Sequence, residues 1–129
     1  MGTAYLLDTN IIIYLINGTL NPVNSRTIQA AANLPACISI ITKMEVLGFQ
    51  PSDPKEAFEY EAFITDSIVL PLSDEIVEKT IQLRKFNKIK LPDAIIAATA
   101  LTHNLILVTR NEKDFTTIQG LVVSNPFAE

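Results

Sequence analysis

Four acids stand where an α/β chain delivers reactive groups. Asp8 directly follows the short apolar run Tyr5–Leu7, and Glu45 lies in the first turn after a second run, Ala36–Ile41. Asp93 is in the first turn of a helix opened by Pro92, and Asp114 closely follows the run Leu105–Thr109. In an open α/β sheet, ligands bind outside the carboxyl ends of the strands. Residues just after a strand, or in the first turn of the next helix, are carried to that edge. Asp93 meets this condition if its helix runs antiparallel to the strands. Carboxylates gathered together repel one another, and a hard divalent cation relieves the repulsion. Mg²⁺ and Mn²⁺ prefer such oxygen ligands. The chemistry expected is phosphodiester hydrolysis, with one or two ions activating water and stabilising the leaving oxygen.

Each acid taken alone also has a structural reading. Thr42-x-x-Glu45 fits a capping box. Asp93 at a helix N-terminus is favoured by the helix dipole, and Asp114 can cap a short turn. Asp8 is harder to explain structurally, because it sits between an apolar strand and an apolar helix, where an unpaired charge is costly. Asp74 and Glu75 also follow a strand, but Ser73 before them marks ordinary first-turn acids.

The elements that must position these acids alternate along the chain. Strands are expected over 5–7, 36–41, 68–72 and 105–109, with a fifth over 121–124. Pro71 restricts the third to an edge or terminus. Helices are expected from Thr9 or Asn10 to Asn17, over 21–32, from Thr42 onward, from Pro54 to about Thr65, from Ser73 to about Asn87, and from Pro92 to His103. Gly18 and Asn104 stand where helices stop. Short continuous apolar strands suit a sheet covered on both faces. The pattern predicts one three-layer α/β/α domain over 1–129, with a mostly parallel sheet of four to five strands. The run Ala97-Ala98-Thr99-Ala100 permits close packing of its helix on that sheet.

Composition narrows the function. The chain has 129 residues and a formal charge of −4, against which a nucleic-acid partner needs a local concentration of cations. Half of its basic residues, Lys79, Arg84, Lys85, Lys88 and Lys90, fall just before Asp93. Lys88, Lys90 and Arg110 are placed for phosphate contact. One cysteine, Cys37, excludes an intrachain disulfide framework, and one histidine, His103, excludes a paired-imidazole mechanism. The apolar run Ile11–Ile13 is far short of the roughly 20 residues of a membrane span. A cytoplasmic protein is expected.

Four segments carry a resemblance: Leu6-Leu7-Asp8-Thr9-Asn10, Ile41-Thr42-Lys43-Met44-Glu45, Leu91-Pro92-Asp93 with the Ala94–Ala100 run, and Leu107-Val108-Thr109-Arg110-Asn111-Glu112-Lys113-Asp114. Together they resemble the PIN-domain family, and within it the VapC-type toxins of bacterial toxin–antitoxin pairs. The resemblance covers essentially the whole chain. It implies a PIN-like fold and a metal-dependent endoribonuclease that cuts RNA with Mg²⁺ or Mn²⁺, leaving a 5′-phosphate and a 3′-hydroxyl. It also implies a cognate antitoxin and a homodimer. By position, Asp8, Glu45 and Asp93 match three of the family's acids. Asn111 or Asp114 fills the fourth place, because many relatives carry an acid where Asn111 stands. Asn10 matches a polar partner that helps hold the first aspartate, and Thr109 matches a hydroxyl at the site's edge. The alternative is a PIN-like RNA- or protein-binding module without catalysis. A response-regulator receiver would usually show an acidic pair after the first strand and a lysine after Thr109; neither is present. An aspartyl-nucleophile phosphatase would usually carry an aspartate where Asn10 stands.

Overall fold

The computed structural model describes residues 4–31 and 35–129. Five parallel strands form one sheet: β1 (Tyr5–Leu7), β2 (Cys37–Ser39), β3 (Ile68–Leu70), β4 (Ile106–Val108) and β5 (Val123–Ser124), in the order β3-β2-β1-β4-β5. Six α-helices accompany them: α1 (Thr9–Ile16), α2 (Arg26–Ala31), α3 (Ile40–Gly48), α4 (Pro54–Thr65), α5 (Asp74–Phe86) and α6 (Leu91–Thr102). Short 3₁₀ turns lie at Pro22–Asn24 and Glu112–Asp114.

The chain builds outward from β1 to β2 and β3, then returns to the other side of β1 for β4 and β5. Right-handed crossovers place helices on opposite faces when the direction of winding reverses. The core divides accordingly. Leu7, Ile38 and Val108 face a cluster with Ile11, Ile12, Ile28, Val46, Tyr60 and Ile64, from α1 to α4. Leu6 and Leu107 face the other way, against Ile76, Leu83, Ile96 and Ala97 of α5 and α6. Adjacent strand residues point to opposite faces, so each three-residue strand serves both cores. This is the three-layer α/β/α sandwich expected.

The helix that carries Asp93 is buried almost all round. Residues 94–100 of α6 are all buried, because the helix lies between the sheet and α5. Small side chains let it approach both. The short link from Thr102 to Ile106 joins the end of α6 to the start of β4. The start of α6, about 18 Å away at 1.5 Å per residue, therefore lies at the strands' carboxyl edge. The antiparallel course that Asp93 requires is present.

Several boundaries differ from the sequence reading. The second strand ends at Ser39 rather than Ile41, because the Ser39 Oγ accepts the Ile41 N–H and starts α3 there. Thr42 is thus inside the helix and buried, not its cap, and the capping box with Glu45 does not form. The cap of α1 is Asp8 itself, not Thr9 or Asn10. The helix expected over 21–32 is divided by Ser25, whose Oγ accepts the Ile28 N–H and starts α2; Ala32 lies outside the described residues. β3 ends at Leu70, so Pro71 falls just beyond an edge strand. Gly18 and Asn104 take the left-handed conformation, with φ of 84° and 55°.

Candidate active site

The reversal in strand order falls between β1 and β4, and the site lies at their carboxyl ends. Leu7 is in register with Val108, so Asp8 and Thr109 occupy the next position on each chain. The Asp8 N–H donates to the Val108 carbonyl at 3.0 Å and continues the ladder to the edge. The Thr109 Oγ1 then donates to Asp8 Oδ2 at 2.7 Å. The Thr9 N–H donates to Asp8 Oδ1 at 2.8 Å, as the first free amide of α1. Both carboxylate oxygens are therefore held, in a residue only 7% exposed. Thr109 is itself oriented, because its Oγ1 accepts the Asn111 N–H at 3.1 Å.

Glu45 reaches the same edge from the second turn of α3. Its Oε1 accepts the Thr9 Oγ1 proton at 2.6 Å. The Thr9 Oγ1 also lies 3.2 Å from Thr42 Oγ1, a longer contact than the one to Glu45. Thr9 thus links two acids: its amide holds Asp8 and its hydroxyl holds Glu45. Asp114 arrives on the 3₁₀ turn after β4, anchored by the buried side chains of Phe115 and Ile118 behind it.

The electrostatics place all four acids in one field. Burial pushes the Asp8 carboxyl up, its two hydrogen bonds oppose this, and Glu45 and Asp114 add to the rise. Burial also raises Asp93, followed by repulsion from Asp8, Asp114 and Glu45, with Lys90 opposing. Among the described residues, no three His, Cys, Asp or Glu side chains draw together closely enough to cage an ion. Asp93 and Asp114 line one cleft, and Asp8 and Glu45 are joined through Thr9. An all-oxygen donor set of this kind fits Mg²⁺ or Mn²⁺, and the open spacing suits an ion that keeps several waters.

The family model of the PIN domain matches residues 5–121. The chain belongs to the PIN domain family. This PIN domain is 38% identical to a chain of a toxin–antitoxin complex from Klebsiella pneumoniae, with a TM-score of 0.74 over 95% of this chain and 97% of that one. It is 25% identical to a chain of VapBC2 from Rickettsia felis, bound to a DNA fragment from their promoter, with a TM-score of 0.80 over 95% and 98%. It is 26% identical to a chain of DNA-bound VapBC from Salmonella typhimurium, with a TM-score of 0.78 over 97% and 98%. No curated protein matches it significantly.

The PIN domain's remaining candidates fall in different places. Asn10 is exposed on α1, and the bonds that hold Asp8 come from Thr9 and Thr109 instead. Asn111 is exposed, and its backbone, not its side chain, bonds Thr109. Lys88 and Lys90 are exposed beside Asp93 and Asp114, in a cleft that Arg84 also lines. Arg110 is engaged elsewhere. Its guanidinium lies 4.3 Å from the centre of the Phe127 ring and 5.3 Å from that of Tyr14. Those two rings meet edge to face at 5.3 Å.

Sequence reasoning missed Thr9, Thr42 and Arg84 as members or neighbours of the site. A signal for Thr9 was available: the residue after a strand-end aspartate is the first helical residue, and its amide points back at that carboxylate. Its link to Glu45 depends on how α1 meets α3, and no local spacing reveals that.

Proposed function

We propose that this PIN domain is the toxin of a VapBC-type pair and a metal-dependent endoribonuclease. The observation that carries the reading is the gathering of acids at one sheet edge: Thr9 joins Asp8 to Glu45, and Asp93 and Asp114 line one cleft. Asp8, Glu45, Asp93 and Asp114 would hold the ion. Bound there, Mg²⁺ or Mn²⁺ supplies an activated water and neutralises charge during in-line hydrolysis of a phosphodiester. The chain's own residues provide orientation. Thr9 and Thr109 fix both oxygens of Asp8, and Thr9 fixes one oxygen of Glu45. Burial of Asp8 keeps the field around its carboxylate strong. Similar chains whose structures were solved as toxin–antitoxin or VapBC complexes support a protein antitoxin as partner. The reading includes a homodimer in the cytoplasm, which sedimentation of the purified chain and fractionation of cells would check.

The test is cleavage of a mixed RNA pool by the purified chain in Mn²⁺ or Mg²⁺. Chelator, Asp8→Asn and Asp93→Asn are run beside it. Cleavage that needs the ion and both aspartates is expected, with fragments ending in 5′-phosphates. The amide of Asn111, exposed where the fourth acid would stand, favours a second reading, a PIN domain that binds without cutting. A folded chain that neither binds Mn²⁺ nor cuts would establish that reading in place of the first.

A further inference from the structure

The two groups that hold Asp8 stand on different elements, and a third piece of chain ties those elements together. The Thr9 amide belongs to α1, and the Thr109 hydroxyl follows β4. Arg110, the next residue, sets its guanidinium 4.3 Å from the centre of the Phe127 ring and 5.3 Å from that of Tyr14 on α1. Its backbone carbonyl accepts the Asn125 side-chain amide at 3.4 Å, and the Asn125 Oδ1 accepts the Phe127 N–H at 2.9 Å. Residues 124–129 are anchored at both ends. At one, the Ser124 carbonyl accepts the Thr109 N–H at 3.1 Å. At the other, where α2 starts, the Glu129 side-chain carboxylate accepts the Ser25 hydroxyl at 2.6 Å and the Arg26 N–H at 2.7 Å. Phe127 is thus presented to Arg110 from a braced segment.

We infer that Phe127, acting through Arg110, is a positioning residue for the acidic edge. The strap over residues 124–129 fixes the turn that carries Thr109, and with it the side of Asp8 that Thr109 holds. The inference rests on the nuclease reading only for the ion that Asp8 would hold. The bonding around Thr109 shows why the turn matters. The Thr109 hydroxyl donates to Asp8 and accepts the Asn111 N–H, so Arg110 lies inside a loop closed by that one hydroxyl. Movement of Arg110 carries the Asn111 N–H with it and loosens the hydroxyl that faces Asp8. Ordering a long exposed side chain costs entropy. Two rings at its face offset that cost by cation–π attraction. Because one ring is on α1 and the other on the strap, the same contact ties together the elements that supply both of Asp8's donors.

The experiment compares the unmodified chain with Phe127→Ala, Phe127→Tyr, Arg110→Ala and Asn104→Val. Asn104 lies between α6 and β4, at the opposite end of the sheet, so Asn104→Val strains the fold without touching the strap. Two quantities are read: Mn²⁺ affinity by electron paramagnetic resonance, and exchange of the Asn111 amide by nuclear magnetic resonance in chelator. An exposed cation–π contact is worth about a two- to fivefold change in an equilibrium. Phe127→Ala is expected to weaken Mn²⁺ binding and to speed Asn111 exchange, each by about that factor. Phe127→Tyr keeps a ring and should match the unmodified chain, and Asn104→Val should change neither quantity. Arg110 is exposed, so Arg110→Ala decides the matter even if Phe127→Ala fails to fold. Removing a positive charge does not by itself weaken the binding of a cation, so weaker Mn²⁺ binding in Arg110→Ala reports lost positioning. Unchanged affinity and exchange in a folded Phe127→Ala overturn the inference. So does Mn²⁺ binding in Arg110→Ala no weaker than in the unmodified chain, or an equal effect of Asn104→Val. Failure of the nuclease reading is visible separately, as an unmodified chain that holds no Mn²⁺. Asn111 exchange then decides alone: faster exchange in Phe127→Ala and Arg110→Ala keeps the strap's role, and unchanged exchange removes it.

Discussion

At the residue scale, Thr9 serves two acids through two different groups. Its amide is fixed by the start of α1, whereas its hydroxyl depends on its side chain alone. Thr9→Val therefore removes the bond to Glu45 and leaves the bond to Asp8. Losing a partner that orients a metal-binding side chain typically weakens metal affinity about 10- to 100-fold. Mn²⁺ binding, followed by electron paramagnetic resonance, is expected to weaken by that order in Thr9→Val and to recover in Thr9→Ser. The stability change is expected to be about 1 kcal/mol, the worth of one hydrogen bond. Equal affinity in Thr9→Val and the unmodified chain would show that Glu45 holds its place without help. The four acids were legible in the sequence because strand ends and helix starts are local signals. Thr9's second role, Arg84's place in the cleft and Arg110's stacking on Phe127 were not, since each is made by segments far apart in the chain.

At the scale of elements, α6 shows why most of the architecture could be read. Its apolar residues do not alternate with polar ones, because it is enclosed by the sheet and by α5. The composition of such a helix records its surroundings directly. Ala98 is fully buried, and Ala98→Leu is expected to cost about 1–3 kcal/mol through overpacking. Urea denaturation would measure it, and a loss well below that range would mean that α6 has room to move away from its neighbours. Asn104, with φ of 55°, ends the same helix. Asn104→Val forces a β-branched residue into that conformation and should destabilise by about 1–2 kcal/mol, whereas Asn104→Gly should not. The start of α3 was misread for the opposite reason. Ser39 and Thr42 both offer a hydroxyl at a strand end, and local sequence cannot choose between them. The sheet chooses: Ser39 is in register with Leu70 on the edge strand, and the helix must turn from there.

At the scale of the molecule, the acids that define the site oppose the fold. Burial and mutual repulsion hold Asp8 and Asp93 above the ordinary aspartate range. The folded state therefore binds their protons more tightly than the unfolded chain does. By linkage, stability falls as pH rises from the ordinary aspartate range through the raised values. In chelator, the melting temperature is expected to be higher in mildly acidic buffer than at neutrality, and saturating Mg²⁺ is expected to shrink the difference by favouring the ionised form. A melting temperature in chelator that climbs with pH across this interval would contradict the assignment of repulsion to these two groups.

The bond from Thr109 to Asp8 joins residues 101 positions apart, across the central pair of strands. A ribosome makes the first of these long before the second. Until β4 has left the exit tunnel, β1 lacks a neighbour on one side, Asp8 lacks one of its two donors, and Asp114 has not yet followed. The growing chain thus carries only separate pieces of the acidic edge through most of its synthesis. An interrupted chain that stops before Thr109 is expected to be harmless to the RNA that surrounds it. For a protein proposed to cut RNA, the order of strands in the sheet acts as a delay.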